Sequence, residues 1–287
     1  MIPMIATYHG PVTRLGGLTN RVYALSSAVL RVPGKGTEEY INRANEAAAA
    51  RVASDAHVSP EVLYADVQTG LMVTRLVSNA VTMSPALFRD RPGAPARAGQ
   101  VFRRLHRSHG VFPFCFELFA MIDDYLKVLS SKDVALPEGY HDVVREAGAL
   151  RKALAKRPVP LVPCHCDPLC ENFLDDGTRM WIVDWEYSGM NDPMWDLGDL
   201  SVEGGFSAAQ DEEVLRAYFG GEPTPFDHGR MVIYKAMCDL LWTLWGLIQL
   251  ANNNPADDFR AYADGRFARC KALMGTAEFA AHVRNVG

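Results

Sequence analysis

Apolar and polar residues are arranged differently in the two parts of this chain. In the first third, short runs of apolar and β-branched residues predict β-strands at residues 12–15, 21–25, 28–32, 62–64 and 71–76. Among them, an alanine-rich stretch with acidic residues in its first turn predicts one long helix over residues 37–56, with Thr37 as its N-cap. This part of the sequence indicates a small sheet with a single helix.

From about residue 78 the apolar residues recur at helical spacing. This spacing predicts helices at residues 97–109, 116–129, 143–156, 208–219 and 230–250, while the proline- and glycine-rich residues 89–96 predict an exposed loop. The clearest strand of this part, at residues 181–185, leads into acidic side chains. We therefore predict an α+β fold with an N-terminal lobe over residues 1–77 and a larger, mainly helical C-terminal lobe over residues 78–287.

Composition and charge exclude several classes of protein. A chain of 287 residues with 48% hydrophobic and 22% charged residues is ordinary for a globular protein with its own core. The net charge of -5 argues against a nucleic-acid partner. The N-terminus lacks the basic region and apolar core of a signal peptide, and no run of about 18 apolar residues predicts a transmembrane helix. We expect a cytoplasmic protein without membrane insertion.

Three of the six cysteines, Cys164, Cys166 and Cys170, lie close together in the sequence. Their spacing lacks the paired C-x-x-C arrangement of a zinc ribbon. Buried thiols that pack as small apolar groups are therefore favoured. A redox or zinc protein built on these residues is the more distant alternative.

The candidate chemistry begins at the signature H-x-D-x-x-x-x-N, formed by His165, Asp167 and Asn172. Phosphoryl transfer from a nucleoside triphosphate needs a carboxylate beside the acceptor hydroxyl, and amide and carboxylate oxygens that hold Mg²⁺ on the phosphates. Asp167 suits the first role and Asn172 the second, while His165 suits a bracing role in the loop. A polar surface loop would show the same pattern, so this motif alone leaves both interpretations open.

A second acidic motif follows the first. Asp184 comes 12 residues after Asn172 at the end of an apolar run, and Glu186 comes two residues further. If the strand continues, both carboxylates point to the same side and provide ligands for Mg²⁺. An acidic turn at a strand end is the alternative. The order and spacing of the two motifs together favour a phosphotransferase that acts on a small molecule.

The same segment resembles the choline/ethanolamine kinase branch of the aminoglycoside-phosphotransferase-like superfamily. The residues that carry the resemblance are His165, Asp167, Asn172, Asp184, Trp185, Glu186, Tyr187, Asn191, Asp196, Leu197 and Gly198. Aminoglycoside kinases more often have a glycine two residues after the metal-binding aspartate, so Glu186 points away from them. The resemblance is specific mainly between residues 160 and 205, and it implies a protein-kinase-like bilobal fold that binds ATP between its lobes.

The resemblance also implies which segments contact ATP. Gly16, Gly17 and Asn20 lie where the family keeps its nucleotide loop, and small residues let backbone N–H groups approach phosphate oxygens. Leu76 and Val77 lie where the hinge between the lobes should present backbone groups to the adenine. A plain hairpin turn is the alternative for the glycine pair.

Arg31 occupies the strand position where protein kinases carry a phosphate-holding lysine, and the choline kinase group is similar to this chain in having arginine there. A guanidinium can bridge two phosphate oxygens. Glu46, on the following helix, is the predicted partner that holds Arg31 in place. A surface ion pair is the alternative, and Lys35 is a rival for the phosphate-binding role.

Two tryptophans are the candidate acceptor site. Trp242 and Trp245 are three residues apart, which places both indoles on one helix face. Indole faces attract quaternary ammonium groups, each contact being worth about 0.5–2 kcal/mol. The choline kinase family has a similar W-x-x-W-x-x-x-Q stretch in its choline pocket, and Tyr187 and Glu203 match positions that add an aromatic wall and a counter-charge. Two tryptophans in a core helix are the alternative.

These features predict an ATP- and Mg²⁺-dependent kinase that phosphorylates the hydroxyl group of choline or a related amino alcohol. An aminoglycoside or thiamine kinase of the same fold is the nearest alternative, because Asp192, Asp196, Asp199 and Glu203 would suit a polycation. Outside catalysis, a nucleotide-binding scaffold without turnover is the alternative. The oligomeric state stays open, because a leucine-rich helix at residues 116–129 can pack internally or pair with a second copy in a homodimer.

Overall fold

The computed structural model describes residues 8–16, 20–34, 37 and 41–287. Its N-terminal strands form an antiparallel five-stranded sheet in the order β1-β2-β3-β5-β4. The strands are β1 Val12–Gly16, β2 Arg21–Leu25, β3 Ala28–Val32, β4 Val62–Ala65 and β5 Met72–Arg75. The apolar and β-branched runs of the sequence thus form the predicted sheet, and the α+β class is confirmed.

The long helix of this region begins later than predicted. Helix α1 spans Arg43–Asp55, and the side chain of Asn42 caps it by accepting hydrogen bonds from the first helical N–H groups. The prediction of Thr37 as the N-cap is wrong, since the Thr37 hydroxyl donates to Gly34 O at 2.8 Å instead. Both residue types are good N-caps, so local propensity alone does not choose between them.

The rest of the chain is mainly helical, with short strands around the signature motifs. The helices are α2 Pro85–Asp90, α3 Ala94–His106, α4 Leu118–Leu129, α5 Tyr140–Lys156, α6 Pro193–Gly204, α7 Ala208–Phe219, α8 Pro225–Ala251, α9 Phe259–Met274 and α10 Ala277–Val286. The short strands are β6 Val81–Thr82, β7 Val162–Cys164, β8 Phe173–Asp175, β9 Met180–Ile182 and β10 Gly189–Asn191. They form two further sheets, β6-β8-β9 and β10-β7.

Two predicted elements in this part need correction. The prediction of an exposed loop at residues 89–96 is wrong for most of its length, because α2 ends at Asp90 and α3 begins at Ala94. Proline fits at the start of α3, where its missing N–H group costs no helical hydrogen bond. The strand predicted at residues 181–185 ends at Ile182, so Asp184 lies in irregular backbone after it and Glu186 in the turn that follows.

The chain divides into two compact units. The first consists of Met1–Phe116 with Val162–Asn191, and the second of Glu117–Leu161 with Asp192–Gly287. The signature residues from His165 to Tyr187 therefore belong to the same unit as the N-terminal sheet. The division into lobes at residues 77 and 78 stays a prediction.

Helix α8 forms the core of the second unit, where it packs against α4, α6, α9 and α10. By length and composition it is apolar enough to cross a membrane, but 72% of its most apolar window is buried inside the protein. A Cβ atom at Gly198 of α6 would lie 2.9 Å from Met231 O of α8. Glycine at this position lets the two helices approach each other closely.

Candidate active site

His165 links the two signature motifs. It follows β7 directly and is fully buried, with its ring centroid 4.9 Å from that of Trp185. The Nε2 atom lies 3.0 Å from Val183 O, and because a carbonyl oxygen only accepts, this nitrogen carries the proton and donates it. The Ser188 hydroxyl donates to His165 O at 3.1 Å. These contacts support the bracing role expected for His165.

Asp167 and Asn172 are held together by the loop between them. The Nδ2 atom of Asn172 donates to Asp167 O at 3.0 Å. Because the amide nitrogen is used in this way, the side-chain oxygen of Asn172 is the atom suited to a metal ion. The N–H group of Val183 donates to Asn172 O at 3.0 Å, which ties this loop to the segment that carries Asp184.

Asp184 has an unusual backbone conformation. Its φ of 68° lies in the left-handed region, as does the φ of 68° at Cys166, the residue before Asp167. Non-glycine residues are uncommon in this region, aspartate and asparagine being those that tolerate it best, and such residues concentrate at functional sites. The pKa of Asp184 is raised to about 6, because burial and the Glu186 carboxylate raise it by more than Arg31 lowers it. The condition that the strand continues to Glu186 is not met, since Asp184 lies in irregular backbone and Glu186 in a turn.

Arg31 lies at the centre of a network of carboxylates. Its Nη2 atom forms an ion pair with Glu46, which is the partner that the sequence predicts. Its Nη1 atom donates to Asp184 Oδ1 at 3.0 Å and to Glu186 Oε1 at 3.1 Å. Burial lowers the pKa of Arg31, but the three carboxylates raise it by more, so the guanidinium stays charged.

Arg43 is a member of this network that the sequence interpretation missed. Its Nη1 atom donates to Glu46 Oε2 at 3.1 Å and to Glu186 Oε1 at 3.0 Å. The Nδ2 atom of Asn20 also donates to Glu186 Oε1, at 3.1 Å. Arg43 lies three residues before Glu46 on α1, so the helical spacing of opposite charges is a signal that would have found it.

The carboxylates of the network fit a hard cation. Glu46, Asp184 and Glu186 each place one oxygen within 4.8 Å of the others. Carboxylate and amide oxygens are the ligands that Mg²⁺ prefers, in contrast to the thiolates that select softer metals. Mg²⁺ would be held by Asp184, Glu186 and the side-chain oxygen of Asn172. Glu46 is instead the ion-pair partner of Arg31.

The remaining predicted nucleotide contacts lie on the sheet and its loops. Gly16 ends β1, whereas Gly17 and the rival cation Lys35 lie outside the described residues. The N–H group of Leu76 donates to Ser27 O at 3.0 Å, so that nitrogen already has a partner. Leu76 and Val77 are both half-buried at the end of β5. Their contact with adenine stays a prediction.

The two tryptophans of α8 belong to an aromatic cluster in the second unit. The ring centroids of Trp242 and Trp245 lie 6.1 Å apart, with the planes at 86°. Trp245 also has edge contacts with Phe259 at 5.4 Å and Tyr262 at 5.7 Å. Both indoles are only half-buried, unlike most of the apolar face of α8. This exposure leaves indole surface for a ligand and supports the acceptor-site interpretation over a closed core.

The other two predicted acceptor residues lie in different units. Tyr187 is half-buried in the first unit, directly after the Asp184 motif. Glu203 is in the second unit, on α6, and its carboxylate accepts a hydrogen bond from Arg266 at 2.7 Å. Sequence reasoning missed Arg266, because the two residues are 63 positions apart and no local pattern joins them.

Comparisons with known proteins identify the family. The model of the phosphotransferase enzyme family matches residues 12–234. A solved choline/ethanolamine kinase family protein of Mesorhizobium loti is 72% identical over 99% of this chain and 95% of its own, with a TM-score of 0.95. The choline kinase LicA of Streptococcus pneumoniae is 26% identical over 96% of this chain and 97% of its own, with a TM-score of 0.77.

A structure of LicA in complex with AMP is also similar, at 26% identity over 94% of this chain and 91% of that one, with a TM-score of 0.73. These matches cover the sheet, the signature motifs and the helices of both units. The chain therefore belongs to the phosphotransferase enzyme family and, within it, to the choline/ethanolamine kinases, which phosphorylate an alcohol group.

Proposed function

We propose that this protein transfers the γ-phosphoryl group of ATP to the hydroxyl group of choline in a Mg²⁺-dependent reaction. The observation that carries the proposal is the contact of Arg31 with Asp184 and Glu186. It brings a phosphate-binding guanidinium next to metal-binding carboxylates, as a nucleoside triphosphate with Mg²⁺ requires. Similarity to a choline kinase, and to LicA with bound AMP, supports the choice of acceptor and nucleotide.

The nucleotide is held by residues of the first unit. Arg31 binds oxygens of the triphosphate, and Glu46 and Arg43 keep its guanidinium in place. When bound, Mg²⁺ neutralises the charge on the β- and γ-phosphates. The other proposed contacts are Asn172, Asp184 and Glu186 for the metal, Gly16, Gly17 and Asn20 for the phosphates, and Leu76 and Val77 for the adenine.

Asp167 acts on the acceptor. Its carboxylate accepts a hydrogen bond from the acceptor hydroxyl and takes the proton as the oxygen attacks the γ-phosphorus in line. Asn172 fixes the loop that carries this carboxylate through its hydrogen bond to Asp167 O. His165, which is fully buried, positions the same loop through its hydrogen bond to Val183 O.

The cationic end of the acceptor is held by aromatic side chains. Trp242 and Trp245 present half-exposed indoles, whose faces attract a quaternary ammonium group. The roles of Tyr187 as an aromatic wall and of Glu203 as a counter-charge stay predictions from the family resemblance, and Glu203 is paired with Arg266. We further propose a cytoplasmic protein, without membrane insertion or a nucleic-acid partner, and a lobe boundary between residues 77 and 78. A homodimer stays open.

The proposal is tested by measuring ATP consumption with Mg²⁺ in the presence of choline, ethanolamine, thiamine or kanamycin. Choline should stimulate turnover, and Asp167→Ala should reduce this turnover by about 100-fold or more while ATP binding is retained. Asp123→Ala, which removes an exposed carboxylate from α4, is the matched control and should keep full turnover.

Three outcomes would contradict the proposal in different ways. Turnover with kanamycin or thiamine alone would retain the proposed kinase activity but show that the acceptor is not choline. ATP binding without turnover of any of the four acceptors would favour a nucleotide-binding scaffold without catalytic activity. Near-normal turnover of Asp167→Ala would remove Asp167 from the catalytic role.

A further inference from the structure

Glu203, the acidic residue expected to face the acceptor, is already paired with an arginine. Its Oε1 atom on α6 accepts a hydrogen bond from Nη2 of Arg266 on α9 at 2.7 Å. The two side chains are only 13% and 10% exposed, so water screens this pair weakly. A charged ligand that approaches Glu203 meets an ion pair instead of a lone carboxylate.

Arg266 also occupies an aromatic face of the same cluster. Its guanidinium carbon lies 4.8 Å from the ring centroid of Tyr262, within the range of a cation–π contact. Its Nη1 atom lies 3.4 Å from Asp239 Oδ1 on α8. Burial lowers the pKa of Arg266, but Glu203 and Tyr262 raise it by more, so the side chain stays a cation.

The indoles next to this ion pair keep some accessible surface for a ligand. Trp245 contacts the ring of Tyr262, and Trp242 contacts Trp245. Both are half-buried, so each keeps part of its ring accessible. Indole rings attract a positive charge but offer no lone pair that accepts a strong N–H hydrogen bond.

Quaternary and primary ammonium groups differ in what they need from such a site. The trimethylammonium group of choline has no N–H donor, so aromatic faces alone can replace its hydration. The ammonium group of ethanolamine has three N–H donors, and burying them without acceptors costs about 1–3 kcal/mol each. A carboxylate that is already bound to a guanidinium is a weak substitute for water.

We propose that Arg266 is a specificity-determining residue that withholds Glu203 from the acceptor and thereby favours quaternary over primary amino alcohols. This inference rests on the proposed function, since it concerns the choice between acceptors of the same reaction. Arg266 acts through Glu203 and is not a catalytic residue. Arg269 provides a natural comparison, because it pairs with Asp239 from the same helix, with its Nη2 atom 2.6 Å from Asp239 Oδ1.

The first test uses the unsubstituted protein with ethanolamine, its N-methyl and N,N-dimethyl derivatives, and choline. The value of kcat/KM should rise with each methyl group, because each one removes an N–H donor that the ion-paired Glu203 carboxylate accepts only weakly. A preference for ethanolamine would overturn the inference and leave the proposed kinase activity intact. Turnover with none of the four would overturn the proposed function and this inference together.

The second test compares Arg266→Met with Arg269→Met. Methionine keeps an unbranched side chain against Tyr262 but frees the Glu203 carboxylate, so the ratio of kcat/KM for choline to that for ethanolamine should fall about tenfold. Arg269→Met should keep the ratio of the unsubstituted protein. The double variant Arg266→Met with Glu203→Gln should have the ratio of the unsubstituted protein again. It also removes the unpaired buried charge of Glu203, so it should fold even if Arg266→Met alone does not. The inference would be overturned if Arg266→Met left the ratio of kcat/KM for choline to that for ethanolamine unchanged. It would also be overturned if the double variant preferred ethanolamine.

Discussion

Arg31 of β3 is paired with Glu46 of α1, and the two side chains are only 11% and 2% exposed. The pair joins the sheet to its helix at the point where Arg31 also reaches the carboxylates of Asp184 and Glu186. The position of α1 therefore determines where the guanidinium lies. A substitution in α1 should therefore weaken nucleotide binding more than acceptor binding.

Glu46→Gln should raise the KM for ATP by about tenfold, equivalent to about 1.4 kcal/mol, and change the KM for the acceptor much less. The reason is that a buried guanidinium without its main partner settles on Asp184 and Glu186 instead of the phosphates. Glu61→Gln removes the partner of an exposed arginine, Arg75, and is the matched control. Equal changes in both KM values would show that Glu46 is only structural.

Asp184→Asn should raise the Mg²⁺ concentration needed for half-maximal turnover by about tenfold or more, because an amide is a weaker ligand than a carboxylate. Initial rates measured across a Mg²⁺ titration at fixed ATP check this result. Asp66→Asn, at an exposed turn, serves as the control variant. An unchanged Mg²⁺ requirement would exclude Asp184 from the metal site.

Trp242→Ala and Trp245→Ala should both raise the KM for choline more than the KM for ATP. They should differ in stability, because Trp245 packs against Phe259 and Tyr262 as well as Trp242. We expect Trp245→Ala to lower the free energy of unfolding by about 3 kcal/mol, measured by chemical denaturation, and Trp242→Ala by less. A loss of stability without any effect on choline would assign both indoles to the core.

Asp175→Asn should destabilise the first unit. The Asp175 side chain is fully buried and accepts hydrogen bonds from Arg91 and Arg97, with a shortest distance of 2.6 Å to Arg97 Nη2. This substitution leaves the guanidinium groups of Arg91 and Arg97 without a negatively charged partner, which should lower the free energy of unfolding by about 3 kcal/mol. The neighbouring Asp176 is half-buried, hydrogen-bonds within its own turn and provides the control, Asp176→Asn.

The same buried aspartate predicts a pH effect. Burial raises the pKa of Asp175, but the hydrogen bonds from Arg97, Gly177 and Arg91 lower it by more, to below the ordinary value of 3.8. In the unfolded chain the carboxyl group binds its proton first as the pH falls. The stability contributed by Asp175 is therefore complete well above pH 3.8 and is lost below it. Unfolding curves of the protein and of Asp175→Asn should converge as the pH falls below that value.

Local patterns predicted the elements that depend on neighbouring residues. Strands β2 and β3 have the predicted bounds, because apolar and β-branched runs bounded by turn residues specify short strands directly. The sequence predicts a helix start at Thr37, because acidic and polar side chains favour one there, but the side chain of Asn42 caps α1, which begins at Arg43. The sequence alone does not rank two caps of similar quality.

Apart from the Arg43–Glu46 pair on α1, the ion-pair networks depend on contacts between residues far apart in the sequence, which no local pattern contains. The Arg31–Glu46 pair was expected only through the family resemblance, and Arg43 contacts Glu186 across 143 positions. Likewise, Glu203 has the right charge for a counter-ion, but Arg266 neutralises it from another helix. Charge at a position can be predicted from the sequence, whereas the availability of that charge depends on packing.

The left-handed backbone at Asp184 has a consequence for protein engineering. A library of substitutions at position 184 would be selected for backbone conformation as well as for metal-binding chemistry. The reason is that only glycine, asparagine and aspartate adopt this φ readily. Glutamate would retain the charge yet strain the turn, and valine or isoleucine would strain it more. Expression yields across such a library should therefore rank by tolerance of this backbone conformation, with glycine and asparagine variants abundant but impaired in Mg²⁺ binding. Asp184 is thus the residue type that satisfies both requirements at once.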